Sequence, residues 1–146
     1  MKFVLSFFLA IFLLCQPCFA AEKEIILDLY QQRGLAEENG QVVHEFDLMS
    51  GHEVKAPTPE GYFRIRRKVK DYYSRSYNAE MPYAMFFYGS YALHAWSWDE
   101  PLPQREERRY YASHGCVSAN LADAKWLFEW ADIGTPIYIF GERLHD

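Results

Sequence analysis

The stretch Ser113-His114-Gly115-Cys116-Val117-Ser118 holds the residues best suited to chemistry in this 146-residue chain. Cys116 is the one cysteine outside the first 20 residues. A thiolate is the nucleophile of cysteine chemistry, and a neighbouring imidazole is the usual means of forming one near neutral pH. Two histidines are candidates for that imidazole. His114 stands two positions before the cysteine, and His94 is separated from Ser113 by 18 residues, enough for a strand and a loop to bring it back. Gly115 lets the backbone turn tightly and lets a substrate come close. Such a turn can also aim backbone N–H groups at a developing oxyanion. Nucleophile, base and oxyanion donors together make an acyl-transfer site. A buried, inert cysteine and a zinc ligand are the other readings of the same residues. The metal reading lacks support from any C-x-x-C or H-E-x-x-H spacing.

The elements that must position these groups are mostly strands. Glu24 to Tyr30 is rich in Ile and Leu and predicts a strand. Asn39-Gly40 is a strong hairpin signal, followed by a strand with Val42, His44, Phe46 and Leu48 on one face. Residues 52–61 read as a loop punctuated by Pro57, Pro59 and Gly61. Tyr62 to Val69 predicts one strand, in which Arg64, Arg66 and Lys68 form a basic face. That face is either solvated or a site for substrate carboxylates. Residues 70–82 read as irregular. Tyr83 to Leu93 is apolar at nearly every position, with Gly89-Ser90 inside it, and predicts buried strands joined by a tight turn that deliver His94. Residues 96–109 read as a surface insertion, and Tyr110-Tyr111 lead into the motif. Asn120 is placed to cap a helix with Leu121, Ala124, Leu127, Phe128 and Ala131 on one face, stopped by Gly134. Ile137 to Phe140 is a last strand. The fold class is therefore mainly β, a sandwich or barrel-like sheet with one helix after the cysteine.

Residues 1–20 read as a secretory signal peptide. Lys2 provides the positive start, Phe3 to Leu14 the apolar run, and Cys18-Phe19-Ala20 the small residues before a cut. Residues 21–146 are then one exported domain, and the membrane is met only through the leader, if it stays uncleaved. A lone Cys116 in an exported protein cannot form an intramolecular bridge. The formal charge of −5, one unit more negative without Lys2, argues against nucleic acid as a partner. Aromatic residues make up 18% of the chain, which suits a ring-rich core and also an aromatic groove for an extended ligand.

Taken in order, these motifs resemble the L,D-transpeptidase catalytic domain, the YkuD-type family. The resemblance runs from about Glu24 to about Glu142. It is carried by Asp28 and the Asn39-Gly40 hairpin, by Pro57-Thr58-Pro59-Glu60-Gly61-Tyr62-Phe63, by Met81 to His94, by Ser113 to Val117, and by Asp123-Ala124. It implies that residues 21–146 are a catalytic domain with the YkuD-type β-sandwich, an enzyme acting on peptidoglycan stem peptides in the periplasm or cell envelope. Cys116 would attack the carbonyl between a diamino acid and the terminal D-alanine. His94 would be the base, oriented by the Ala95 carbonyl. The Gly115 and Cys116 amides would hold the oxyanion, and Ser113 and His114 would support the site. No cofactor or metal is implied. The acyl group would pass to an amine on another stem or on a wall-attached protein, or to water, which would make the enzyme an L,D-carboxypeptidase or amidase. An inactive peptidoglycan-binding domain is the reading from a different class. Two positions depart from the family: Ala95 stands where Gly, Ser or Thr is usual, and Ser118 where Arg or Asn is common. The activity–pH profile of a thiol–imidazole pair is expected to rise through neutrality.

Overall fold

The computed structural model describes residues 22–108 and 111–141. The leader at residues 1–20, Tyr110 at the approach to the motif, and the end of the chain from Glu142 lie outside the described residues.

Nine strands and one helix follow in the order β1 (Lys23–Asp28), β2 (Arg33–Glu38), β3 (Gln41–Met49), β4 (Gly61–Arg64), β5 (Arg67–Ser74), β6 (Ala79–Tyr88), β7 (Tyr91–Ala95), β8 (Val117–Ala119), α1 (Leu121–Trp130) and β9 (Pro136–Phe140). They form one curled sheet in the order β4-β9-β1-β2-β3-β8-β7-β6-β5. Sequential neighbours pair antiparallel through short turns, including Asn39-Gly40 between β2 and β3. The two parallel pairs, β1 with β9 and β7 with β8, join strands far apart in sequence. The curl wraps the inner faces around one core. Ile25, Leu27, Leu48, Met85, Phe87, Leu93, Val117, Leu127, Ile137 and Ile139 all lie within it.

Helix α1 packs Ala124 and Leu127 into that core. Asn120 does not cap it with its side chain; its Oδ1 instead accepts a hydrogen bond from the Leu102 N–H at 2.9 Å. The helix ends before Gly134, with Ala131 at its C-cap. No basic residue lies in its last turn, so two strands supply the cations. Lys23 donates to the Trp130 carbonyl and Lys68 to that of Ala131, which satisfies orphan acceptors at the negative end of the helix. Burial beside Phe128 lowers the pKa of Lys68, and nearby Asp132 opposes the shift.

Two strand expectations change, and one strand was not read. Residues 33–38 form a strand whose inward residues, Gly34 and Ala36, leave no bulky apolar pattern to read. The segment from Tyr62 to Val69 is two strands, broken at Ile65-Arg66. The stretch read as irregular from 70 to 82 is the end of β5, a four-residue turn and the start of β6. The basic face divides with it. Lys68 reaches α1, Arg64 donates to the Gly134 carbonyl, and Arg67 lies on the other side of β5 over Phe86.

Candidate active site

Cys116 immediately precedes β8, and His94 is near the end of β7. The two strands run parallel with Leu93 beside Val117 and His94 beside Ser118. Side chains alternate along each strand, so Val117 and Leu93 enter the core while His94, Ser118 and Cys116 serve the other side. Cys116 packs there with Met81, Ala84, Phe86 and Ala92.

The turn before Cys116 requires glycine twice over. Gly115 has φ +109°, and a Cβ on it would stand 2.3 Å from the Tyr91 ring. Gly51 meets it from the other side, where a Cβ would fall 2.6 Å from the Gly115 Cα. Thr58 ties the two together: its Oγ1 accepts from the Gly51 N–H at 2.8 Å and donates to the Gly115 carbonyl at 3.0 Å. Ser113 closes the turn from within. Its hydroxyl donates to the Cys116 carbonyl and accepts from the Gly115 N–H at 3.0 Å. This last bond bears on the two amides expected to hold the oxyanion. The Gly115 amide is already engaged, which leaves the Cys116 amide as the candidate donor from the motif.

His94 is buried, and its Nδ1 lies 2.7 Å from the Ala95 carbonyl. A carbonyl only accepts, so Nδ1 carries the proton and Nε2 keeps its lone pair. Burial lowers the pKa of His94 to about 4, against the raising effect of the Ala95 carbonyl. Burial raises the pKa of Cys116, partly offset by a hydrogen bond with the Ala92 backbone. The thiol also lies 3.8 Å from the Ser90 carbonyl. At neutral pH the pair therefore rests as thiol and neutral imidazole. No hydrogen bond joins them among the described residues, a separation that substrate binding commonly closes.

His114 does not converge with them. It is exposed and its ring stacks on Tyr77 at 4.7 Å, in the turn between β5 and β6. Ala95 contributes its carbonyl only; its side chain is in the core. Ser118 is buried opposite His94, and its Oγ is a buried side-chain polar atom with no hydrogen-bond partner among the described residues. A groove of about 690 Å³ adjoins the Gly51 end of the turn, between Ser50, His52, Arg108 and Ala112, and does not reach the sulfur.

Sequence reasoning missed Thr58 and Arg108 as organisers. The threonine sat in a loop quoted for its prolines and glycine. Arg108 lay in a presumed surface insertion, yet it is buried and donates to the Pro103 and Leu48 carbonyls and to Asp47. His44 and Asp123 pair at 2.9 Å, with His44 stacked on Trp126, and tie β3 to α1.

Residues 22–139 match the family model YkuD, the L,D-transpeptidase catalytic domain. Among solved structures, an L,D-transpeptidase from Stackebrandtia nassauensis is 27% identical with a TM-score of 0.71, over 92% of this chain and 62% of that one. An L,D-transpeptidase from Xylanimonas cellulosilytica is 29% identical with a TM-score of 0.68, over 85% of this chain and 63% of that one. A cysteine-to-serine mutant of L,D-transpeptidase from Enterococcus faecium is 26% identical with a TM-score of 0.70, over 82% of this chain and 50% of that one. The chain thus spans between half and two thirds of the length of these structures. No curated protein matches it.

Proposed function

The chain belongs to the L,D-transpeptidase catalytic-domain family, and we propose that it is an acyltransferase that cleaves the L,D bond before the terminal D-alanine of a peptidoglycan stem. The observation that carries this reading is the pairing of β7 with β8. It puts a neutral imidazole, with Nε2 unprotonated, on the same side of the sheet as Cys116.

The reaction follows from those groups. His94 Nε2 takes the thiol proton as the sulfur attacks the carbonyl carbon of the diamino acid. Charge develops on the carbonyl oxygen beside the Cys116 amide. The C–N bond to D-alanine breaks, and His94 returns the proton to the departing amine. A thioester on Cys116 remains. An acceptor amine then attacks it, His94 removes that amine's proton, and the sulfur leaves and is reprotonated. Acceptance by a second stem gives a crosslink; acceptance by a protein attaches it to the wall. The Ala95 carbonyl holds the base, and the Gly51–Thr58–Gly115 tie holds the turn that carries the nucleophile.

Incubation of the protein with a defined tetrapeptide stem, followed by mass spectrometry, tests the reading. The expected result is D-alanine release together with a crosslinked dimer, both lost in Cys116→Ala. A tripeptide without dimer would make the enzyme a hydrolase, and release that survives Cys116→Ala would remove the cysteine from the mechanism. We further propose that residues 1–20 direct export to the cell envelope. A mature protein beginning at Ala21 is the expected finding of N-terminal sequencing, and one beginning at Met1 would replace export by anchoring.

A further inference from the structure

Ser118 is a polar residue in a place built for apolar ones. It is 1% exposed, and its neighbours along β8, Val117 and Ala119, belong to the core. Its own side chain points to the opposite face, where strand pairing fixes a row of residues. Met49 of β3 lies on one side of it and His94 of β7 on the other. The register that sets Met85 against Leu93 continues the row to Ala84 of β6, and Val69 of β5 follows. Ser118 and His94 are the polar members of that row, and they are adjacent. The Ser118 hydroxyl has no hydrogen-bond partner among the described residues. A buried hydroxyl without a partner lowers stability, and alanine would fill the place without that cost.

The surrounding groups leave His94 as the one this hydroxyl can serve. Met49 offers only a thioether, a weak acceptor. Asn120, two residues further on, engages its Oδ1 with the Leu102 N–H. Cys116, two residues back, has its thiol 3.8 Å from the Ser90 carbonyl. His94 is held at Nδ1 by the Ala95 carbonyl, and no hydrogen bond is made at Nε2 among the described residues. Paired strands lie about 4.8 Å apart, which sets the serine and histidine side chains against each other. Proton transfer makes a demand at that spot. When His94 takes the thiol proton it becomes a cation inside the fold, where charge is poorly solvated. A hydroxyl is both donor and acceptor, and its hydrogen rotates without moving a heavy atom. Its oxygen can face the imidazolium as it forms and turn away when the proton leaves. Met49, Ala84 and Val69 have no group that could do this, and Cys116 is the titratable neighbour in the adjoining row.

We propose that Ser118 is a positioning residue that acts through His94: its hydroxyl oxygen steadies the imidazolium formed when the Cys116 thiol proton reaches Nε2. The proton passes from sulfur to Nε2 and later to the departing amine. Ser118 exchanges no proton; only its O–H bond rotates. The serine thus serves the charged state of the reaction, not the resting fold. The inference rests on the acyl-transfer reading of Cys116, so one arm of its test reads His94 directly, without turnover.

The His94 ring is titrated by NMR in the unmodified protein and in Ser118→Ala, and turnover of a tetrapeptide stem is measured on both. Ser118→Ala is expected to titrate about one pH unit lower and to lose roughly tenfold in kcat, with KM within about twofold of the parent. Its melting temperature should equal or exceed the parent's, because an unpartnered hydroxyl has been replaced by an apolar group. Ser118→Thr keeps the hydroxyl and adds a methyl, and its folded fraction should titrate like the parent and keep most of its kcat. Met49→Leu changes the other neighbour of Ser118 and leaves the hydroxyl, so neither the titration nor kcat should move. A His94 titration that is unchanged or higher in Ser118→Ala would overturn the proposal. So would a lower melting temperature with kcat intact, the mark of an ordinary structural bond. A shifted titration without D-alanine release by the unmodified protein would keep the Ser118–His94 pairing and reject the reaction; release with an unshifted titration would do the reverse.

Discussion

The two faces of the β5–β8 half of the sheet are built from alternate residues of the same strands and do opposite things. The inner face presents Met85, Leu93 and Val117 to α1 and is sealed against solvent. The outer face carries Ala84, Ala92 and Phe86, which are also buried, and leaves Cys116 half-buried beside them. Leu93 and Ala92 are neighbours in sequence and belong to different clusters. A period of two therefore lets one backbone ladder be both a core and a platform. Rigidity comes from the side with large residues. The sulfur sits on the side where Ala84 and Ala92 are small.

Substitutions at the two faces are expected to separate activity from stability. On the outer side, Cys116→Ser and His94→Ala should each reduce turnover by roughly a thousandfold or more, since the thiol and its base act as a unit. The Cys116→Ser protein should melt within a few degrees of the parent, because the exchange is nearly isosteric. Substantial turnover by His94→Ala would remove histidine from the base role.

On the inner side, Leu93→Ala should do the reverse. A fully buried leucine leaves a cavity, and the expected loss is about 2–5 kcal/mol of stability, read by urea titration. The fraction that remains folded should retain most of its turnover per molecule. Loss of turnover in fully folded Leu93→Ala would show that the faces are coupled and that the platform needs the core's packing.

The site was more legible in the sequence than the sheet that holds it. Cys116, His94 and Gly115 stand out because few residue types can act as nucleophile, base or tight turn. The buried run from Tyr83 to Leu93 is legible because continuous apolar sequence has few other homes. Strand β2 was not, because its inward residues are Gly34 and Ala36. Gly34 is small for a reason visible only in three dimensions: a Cβ there would fall 2.1 Å from the Phe46 ring. That the Gly115 amide is engaged by Ser113 was not legible, because the bond is made inside the turn. Arg108 was hidden because a charged residue in a charged loop signals exposure, and only its carbonyl partners show that it is buried.

The outer face also carries a burial cost, and pH exposes it. His94 ordinarily titrates near 6.5 and is held at about 4 in the fold, chiefly by burial. As pH falls below 6.5, the unfolded chain takes up the proton and the folded chain does not until about 4. Stability should thus be full above 6.5, decline between 6.5 and 4, and lose nothing further from this group below that. The decline is worth about 3 kcal/mol, and it should be absent from His94→Gln when the two proteins are titrated with urea at several pH values. Activity should follow the same groups. With the imidazole neutral and the thiol protonated throughout, a plateau from about pH 5 to 8 replaces the rise through neutrality that the sequence suggests. An inflection near 6.5 would place His94 in contact with water and undo the assignment.

The smallest expected effect concerns the tie that holds the nucleophile's turn onto the outer face. Thr58→Val keeps shape and volume but removes the acceptor for the Gly51 N–H and the donor to the Gly115 carbonyl. Both groups are buried, and leaving them unpartnered should cost about 1–3 kcal/mol. Thr58→Ser keeps both bonds and should cost well under half of that. Turnover separates a merely structural role from a positioning one. If the tie fixes the angle at which Gly115 delivers Cys116, Thr58→Val should lower kcat while leaving KM nearly unchanged, and Thr58→Ser should restore kcat. A fall in stability with kcat intact would mean that the inner bonds of Ser113 suffice to aim the cysteine, and that Thr58 serves only to hold two loops together.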